Sequence, residues 1–198
     1  MITNGEIIGH FVKSVFPQRR WKAMDYIEKT VKKNYVYKGK ILNLRCDDAL
    51  LFDGAPCKRE IVEHSGGACA LYVAGGKALF VRQYRYAYGE SVLEIPAGKL
   101  NAGEDPRIAA LRELEEETGV CGAEAELLFV MYPSPGYTDE KIYIYLAKGG
   151  KRGEKRLDEG EYLDSLWIDL ATVKEMLAKG EIKDGKTLVA LQAYFLKG

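Results

Sequence analysis

The chain has 198 residues, of which 47% are apolar and 29% are charged, a composition ordinary for one globular domain that is large enough to bury a core. Its 29 basic side chains balance its 29 acidic ones, so no whole-chain field attracts nucleic acid. The 4 cysteines form no C-x-x-C pair and no apolar run is long enough for export or membrane spanning, so we expect a cytoplasmic protein with reduced thiols and with neither nucleic acid nor membrane as a partner.

Residues 1–34 are expected to form an N-terminal extension of helical character. Apolar side chains recur at spacings of three and four between Trp21 and Val31, which is the pattern of a short amphipathic helix. A basic amphipathic helix can bind a membrane or a partner, but a helix this short is expected to pack on its own domain or on a second subunit.

Short β-rich runs between residues 35 and 64 predict an antiparallel meander with a turn at Asp53 and Gly54. The predicted strands of the meander are 35–37, 41–45, 49–52 and 59–63.

The glycine pair Gly75 and Gly76 gives the strongest hairpin signal in the sequence. It joins the predicted strands 68–74 and 78–84, whose apolar runs indicate strands covered on both faces. A short strand over residues 92–95 follows.

A helix of about three turns is predicted from Pro106 to Thr118. Asp105 is a good N-cap, Pro106 suits a first helical turn, and Gly119 supplies the left-handed residue that ends a helix.

The rest of the chain alternates strands and loops and then ends in two helices. In order, we predict a strand at 125–131, a loop at 132–140, a strand at 141–147, an exposed loop at 148–161, a strand at 166–168, and helices at 170–179 and 186–196. Strands sandwiched by helices, with an antiparallel or mixed sheet, define an α/β (α+β) fold class.

Three acidic residues share one face of the helix predicted from Pro106 to Thr118. Glu113, Glu116 and Glu117 fall at i, i+3 and i+4, where like charges repel one another. A solvated acidic helix is one explanation, since charge runs commonly mean only that. The other is a bound cation, because clustered carboxylates suit a hard divalent ion such as Mg²⁺ or Mn²⁺, which takes further ligands from water and from the phosphates of a substrate.

The segment 98–120 reads GKLNAGEDPRIAALRELEEETGV and resembles the Nudix box at every fixed position. The chain is therefore identified as a member of the Nudix hydrolase superfamily. The resemblance implies an α/β/α sandwich with a mixed sheet over residues 35–198, divided into the N-terminal β meander at 35–64 and a catalytic core at 65–198. It also implies metal-dependent hydrolysis of a diphosphate that joins a nucleoside to another group.

Features outside the box resemble the ADP-ribose pyrophosphatase branch. They are Glu94-Ile-Pro-Ala-Gly98, Arg82-Gln-Tyr-Arg85, the loop 134–140, and Pro135 at sixteen residues beyond Gly119. The branch implies hydrolysis of ADP-ribose to AMP and ribose 5-phosphate by a homodimer whose N-terminal strands complete the partner's pocket. Another nucleotide sugar or a dinucleotide, for example GDP-mannose, is the alternative substrate, and a non-catalytic ADP-ribose sensor is a third hypothesis.

By the same resemblance, the metal ligands are Glu113, Glu116, Glu117 and the backbone carbonyl of Ala97. Arg112 neighbours these acids and is expected to orient one of them through a charged hydrogen bond. Glu104 either assists the metal or serves the loop and the start of the helix.

Glu140 is the expected catalytic group outside the box. It could position or deprotonate the attacking water, because the helix acids are committed to metal. Gly136 and Pro135 favour a loop that swings in over bound substrate. A solvent-facing charge is the alternative for Glu140.

The predicted substrate-binding residues are Arg59, Arg85, Glu94, Ser134 and Gly136. The planar guanidinium of Arg85 suits substrate phosphates. Arg59 alternatively pairs within the meander, and Glu94 alternatively braces the loop before the box. The candidates for stacking on an adenine ring are Tyr37, Tyr84 and Tyr86.

Overall fold

The structure is a computed structural model that describes residues 25–197. The strands in this range are β1 (Lys29–Lys32), β2 (Tyr35–Lys38), β3 (Leu42–Leu50), β4 (Pro56–His64), β5 (Gly67–Ala74), β6 (Lys77–Arg85), β7 (Glu90–Glu94), β8 (Ala97–Lys99), β9 (Val120–Met131), β10 (Ile142–Arg152) and β11 (Leu163–Asp169). The helices are α1 (Pro106–Thr118), α2 (Leu170–Lys179) and α3 (Gly185–Lys197). Among the described residues, no helix is both long and apolar enough to cross a membrane.

A mixed sheet of seven strands forms the centre of the molecule. Its main strands lie in the order β11-β6-β5-β10-β9, with β5 and β10 parallel and the other pairs antiparallel. β5 and β6 pair with each other only beside their turn, at residues 72–74 and 77–79. Further along, β8 pairs with β5 and β7 pairs with β6, so the sheet opens and the linker 94–97 crosses the opening.

Helices cover both faces of this sheet, as predicted. Successive residues of β5 point to opposite faces, so Ala68 and Ala70 pack under α1 while Cys69 and Leu71 pack under α2 and α3. The small side chains on the α1 side let that helix lie close to the sheet, where Leu114 is fully buried. The predicted α/β/α sandwich is confirmed.

The N-terminal strands form a separate antiparallel sheet around β3. β4 pairs along the whole of one edge of β3, and β1 and β2 follow one another along the other edge. The predicted antiparallel meander is confirmed, although two of its predicted strands, 41–45 and 49–52, merge into the single strand β3. All residues of β1 and β2 are exposed.

One loop joins the two sheets. The backbone N–H of Val62 in β4 donates to Tyr137 O at 2.7 Å, and the N–H of Asp139 donates to Val62 O at 3.2 Å. The loop that follows β9 therefore continues the N-terminal sheet beyond β4, and it is fixed by backbone hydrogen bonds.

The predicted helix between Trp21 and Val31 is wrong where the structure describes it. Its first residues lie outside the described range, but Lys29–Lys32 forms β1. Thr30 pairs with Ala49 and Lys32 pairs with Asp48 on the edge of β3. The long edge of β3 offers hydrogen bonds to an extended segment, and this non-local pairing overrides the helical spacing of the apolar residues.

The predicted loop at 148–161 is also partly wrong, because β10 continues to Arg152 and pairs there with β9. Gly150 has a positive φ of 78°, and a Cβ at this position would lie 2.6 Å from Cys121 O. The glycines that resemble a loop in the sequence therefore allow two backbones to approach closely within a sheet.

Candidate active site

Helix α1 begins and ends as its sequence predicts. The Asp105 carboxylate accepts hydrogen bonds from the N–H groups of Arg107 at 2.8 Å and Ile108 at 3.3 Å. Gly119 ends the helix with a φ of 78°. With the helix fixed at both ends and packed through Leu114, the acidic face lies against β8.

Glu117 is the most buried acid of this face, with a relative exposure of 2%. Its carboxylate accepts a hydrogen bond of 3.1 Å from the Ala97 N–H. Burial raises the pKa of Glu117 to about 8, and the negative charges of Glu113 and Glu161 add to this effect. The Ala97 N–H and the charge of Lys186 offset only part of this effect, so a charged Glu117 is unfavourable at neutral pH.

Glu113 lies directly over Gly98. A Cβ at position 98 would overlap the Glu113 carboxylate, so only glycine leaves this space open. Burial raises the pKa of Glu113 even though Arg112 opposes that shift. The glycine that opens the motif thus makes room for one of its acids.

Arg112 connects the acids of the site. Its guanidinium donates to Glu113 at 2.8 Å, to Glu116 at 2.8 Å and to Glu104 at 2.9 Å. Glu104 also accepts from the Asn101 N–H at 2.9 Å. This geometry favours the second hypothesis for Glu104, in which it holds the loop and the start of the helix.

The acid face fits a hard divalent ion in its chemistry, because Glu117 is a buried and Glu113 a half-buried carboxylate, both with raised pKa values. Between residues 25 and 197, however, no three His, Cys, Asp or Glu side chains are grouped closely enough to hold a metal ion. Arg112 explains this arrangement, since it draws Glu113 and Glu116 toward its own guanidinium.

A cavity of about 390 Å³ adjoins the acids, and Ala97 and Gly98 form part of its wall. The side chains around it include Arg85, Glu140, Glu161 and Lys186. The structure therefore brings three of the predicted groups together: the acidic helix with its Ala97 contact, the candidate phosphate ligand Arg85, and Glu140.

Arg85 is held in this wall by Glu94. Its Nε and Nη2 atoms both donate to the Glu94 carboxylate at 2.6 Å. Glu94 is only 2% exposed, and Lys186 also binds it. The geometry favours the bracing hypothesis for Glu94, because both of its oxygen atoms already accept hydrogen bonds from cations.

Glu140 lies on the loop that is bonded to β4. Its carboxylate is 3.3 Å from His64 Nδ1, and its N–H donates to Thr138 at 3.2 Å. The backbone pairing of this loop with Val62 holds it beside the cavity in this structure, and its movement over bound substrate stays a prediction.

The sequence did not point to Glu161, which lines the same cavity. Its negative charge raises the pKa of both Glu113 and Glu117, so it lies near these acids. In the sequence it is one of several charges in a glycine-containing loop. The pairing of β11 with β6, together with the hydrogen bond of 2.9 Å from the Arg156 N–H to Glu116 O, brings this loop to the site.

Three predicted substrate residues lie elsewhere in the described chain. Arg59 and Gly136 line a different cavity of about 400 Å³, where Arg59 forms an ion pair with Glu28. Ser134 accepts backbone hydrogen bonds of 3.2 Å from Tyr137 and Thr138 and forms a turn. The candidate stacking residues Tyr37, Tyr84 and Tyr86 are all exposed.

The α/β/α sandwich with an acidic helix beside an arginine-lined cavity agrees with the sequence family that matches this chain. A model described as "NUDIX domain" matches residues 63–191. The chain therefore belongs to the NUDIX family.

Three similar proteins indicate which members of this family the chain resembles. A "Methanol dehydrogenase activator" from Bacillus methanolicus is 42% identical over 168 residues, which cover 83% of this chain and 91% of that protein. An "ADP-ribose pyrophosphatase" from Bacillus subtilis (strain 168) is 39% identical over 173 residues, 86% of this chain and 94% of that protein. A "GDP-mannose pyrophosphatase" from Enterobacter sp. (strain 638) is 32% identical over 152 residues, 71% and 79% of the two chains. The chain is a Nudix hydrolase that resembles ADP-ribose pyrophosphatases over most of its length.

Proposed function

We propose that this Nudix hydrolase cleaves the diphosphate bond of ADP-ribose with the help of Mg²⁺ or Mn²⁺ and releases AMP and ribose 5-phosphate. The observation that carries the proposal is the cavity lined by Arg85, Ala97 and Gly98, because Ala97 and Gly98 also contact the acids Glu117 and Glu113 of α1. A diphosphate needs cations around it, and this cavity offers Arg85 in its wall and, next to Ala97 and Gly98, carboxylates suited to a metal. The similarity to an ADP-ribose pyrophosphatase supports the choice of substrate.

Glu113, Glu116 and Glu117 would hold the metal together with the backbone of Ala97. A bound divalent ion would neutralise phosphate oxygens and lower the pKa of a coordinated water. Arg112 orients Glu113 and Glu116 through its two hydrogen bonds of 2.8 Å. Arg85, fixed by Glu94, binds the phosphates of the substrate.

We assign the positioning of the attacking water to Glu161. Glu161 and Glu140 both line the cavity, and the negative charge of Glu161 raises the pKa of Glu113 and of Glu117. Glu140 lies 3.3 Å from His64 Nδ1 on a loop held by β4. Glu140 stays the alternative for this role.

A direct test is to incubate the purified protein with ADP-ribose and Mg²⁺ and to identify the products by chromatography. The proposal predicts AMP and ribose 5-phosphate in equal amounts, and no products when EDTA replaces the metal. Adenosine diphosphate as a product would contradict cleavage of the diphosphate bond.

GDP-mannose is the second candidate substrate, and the similarity to a GDP-mannose pyrophosphatase favours it. A non-catalytic ADP-ribose sensor would need no acids for metal, and here all three acids are present on one helix face. Binding of ADP-ribose with no hydrolysis in the presence of Mg²⁺ would support the sensor.

We further infer a homodimer in the cytoplasm. The exposed strands β1 and β2 carry the large apolar side chains Val31, Val36 and Tyr37, which suit burial by a second subunit. Arg59 lines a cavity beside the same N-terminal sheet. In a dimer, this cavity could contact the substrate that the partner subunit binds. All four cysteines are free, which supports a reducing compartment.

A further inference from the structure

The first turn of α3 contacts the linker 94–97. This linker joins Glu94, which holds Arg85, to Ala97, which contacts the acid Glu117. The Lys186 side chain, 11% exposed, donates to the Glu94 carboxylate at 2.5 Å and to Asp184 at 2.9 Å. The next residue, Thr187, is fully buried. Its hydroxyl accepts the Ile95 N–H at 2.9 Å and donates to Asp184 at 2.6 Å. Two adjacent residues of α3 thus hold two adjacent residues of the linker.

The linker has a functional group at each end. Glu94 holds Arg85 through two hydrogen bonds. Ala97, at the other end, donates its N–H to Glu117. Between them, Pro96 O accepts the Ala70 N–H of β5 at 3.0 Å. A shift of the linker would therefore move the arginine and the contact of the buried acid together.

Lys186 also changes the charge that the cavity wall presents. An arginine bound to one buried carboxylate forms a neutral pair and attracts a phosphate weakly. Lys186 and Asp184 add one cation and one anion to this pair, so the loss of Lys186 would leave Arg85 beside two carboxylates whose charge repels a phosphate. Burial alone would lower the pKa of Lys186, but Asp184 and Glu94 outweigh it and raise that pKa, so the lysine is charged.

We propose that Lys186 and Thr187 are positioning residues for diphosphate hydrolysis. Lys186 leaves Arg85 oriented and charged for the phosphates of the substrate, and Thr187 holds the linker so that the Ala97 N–H meets Glu117. The inference rests on the proposed function, since it assumes that Arg85 binds phosphate and that Glu117 serves the metal.

Lys186→Met tests the phosphate side. KM for ADP-ribose should rise by about tenfold or more while kcat changes by less than about threefold, because the lost charge weakens binding in the ground state and transition state alike. Lys186→Arg should restore KM to within a few-fold. Lys183→Met is the matched control, since Lys183 lies three residues away and pairs only with the surface residue Glu90.

Calorimetry gives a second measurement that needs no turnover. ADP-ribose titrated into metal-free protein should bind Lys186→Met about tenfold more weakly than wild type or Lys183→Met. A lysine with only a structural role would lower the melting temperature of the variant and leave KM and the dissociation constant unchanged. That result would overturn the inference for Lys186.

Thr187→Val tests the acid side, because valine keeps the shape and removes the hydroxyl. The variant should bind Mn²⁺ several-fold more weakly than Thr187→Ser in a titration followed by electron paramagnetic resonance of the free ion, with KM for ADP-ribose little changed. Equal Mn²⁺ affinity in the two variants would overturn the role of Thr187. Wild-type protein that hydrolyses no ADP-ribose would instead contradict the proposed function, so the two failures are distinguishable.

Discussion

At the scale of single residues, the site combines charges that oppose one another until a cation is present. The half-buried Glu113 and the buried Glu117 lie one helical turn apart with raised pKa values, and Arg112 binds only the first of them. Proteins retain buried acids of this kind mainly where they bind metal or take part in catalysis. Glu117 is therefore the residue at which the proposed chemistry is tested most simply.

Glu117→Gln should lower kcat for ADP-ribose by at least about a hundredfold and leave the fold intact, because the amide keeps the shape but provides no anionic ligand. Initial rates and a thermal melt measure the two effects. Glu115→Gln is the matched control on the same helix, since Glu115 pairs with Arg156 instead of facing the site. Activity of the Glu117 variant within a few-fold of that control would remove Glu117 from the site.

The raised pKa of Glu117 predicts how the stability of metal-free protein depends on pH. The folded carboxyl titrates at about 8 and its ordinary value is 4.5, so between these pH values the folded state binds more protons than the unfolded state. The free energy of unfolding should therefore fall as pH rises from 5 to 8, by on the order of a few kcal/mol at most.

Urea denaturation in EDTA at pH 5 and pH 8 measures this difference. In Glu117→Gln the side chain cannot titrate, so the decrease in stability should become smaller. A wild-type protein that is equally stable at both pH values, or more stable at pH 8, would contradict the buried uncompensated charge.

At the scale of elements, the sequence predicted the helix ends and the hairpin turn correctly, because these features depend on residues close together in the chain. α1 and α2 have their predicted bounds because Asp105, Gly119 and Gly180 are cap residues whose conformations depend on their immediate neighbours. The hairpin at Gly75 and Gly76 formed because both glycines adopt positive φ.

Elements that depend on distant pairing were not predictable in the same way. β1 needs the edge of β3, the end of β10 needs β9, and the short strand β8 needs β5. The candidate site follows this division. The acids of α1 and their spacing were visible in the sequence, whereas Glu161 and Lys186 reach the cavity from elements that only the sheet order brings together.

The two loops beside the cavity give opposite predictions for their glutamates. Glu161→Gln should lower kcat by about a hundredfold with only a few-fold change in KM, since it removes the group that positions water. Glu140→Gln should change kcat only a few-fold, because the backbone pairing of its loop with Val62 holds Glu140 beside His64. Steady-state kinetics on both variants decide between them, and the reverse pattern would assign the role to Glu140.

At the scale of the whole molecule, the N-terminal sheet contacts the core chiefly through β4 and leaves β1 and β2 exposed. Large apolar side chains on such an exposed edge are unusual for a monomer. A second copy of the chain that covers this sheet would bury them.

Light scattering should therefore give a mass of twice 22.1 kDa. Val36→Glu, on the exposed face of β2, should shift the protein toward the monomer, because a charge would be buried in the interface. Leu196→Glu is a matched control at an exposed apolar position far along the chain, on α3. A wild-type mass of 22.1 kDa would refute the dimer.

The central claim concerns the reaction, and initial rates on a panel of substrates with Mg²⁺ test it most directly. The panel contains ADP-ribose, GDP-mannose and a dinucleoside polyphosphate, and kcat/KM is measured for each. We predict the highest value for ADP-ribose. A tenfold preference for another member of the panel, equivalent to about 1.4 kcal/mol in the transition state, would contradict the proposed substrate.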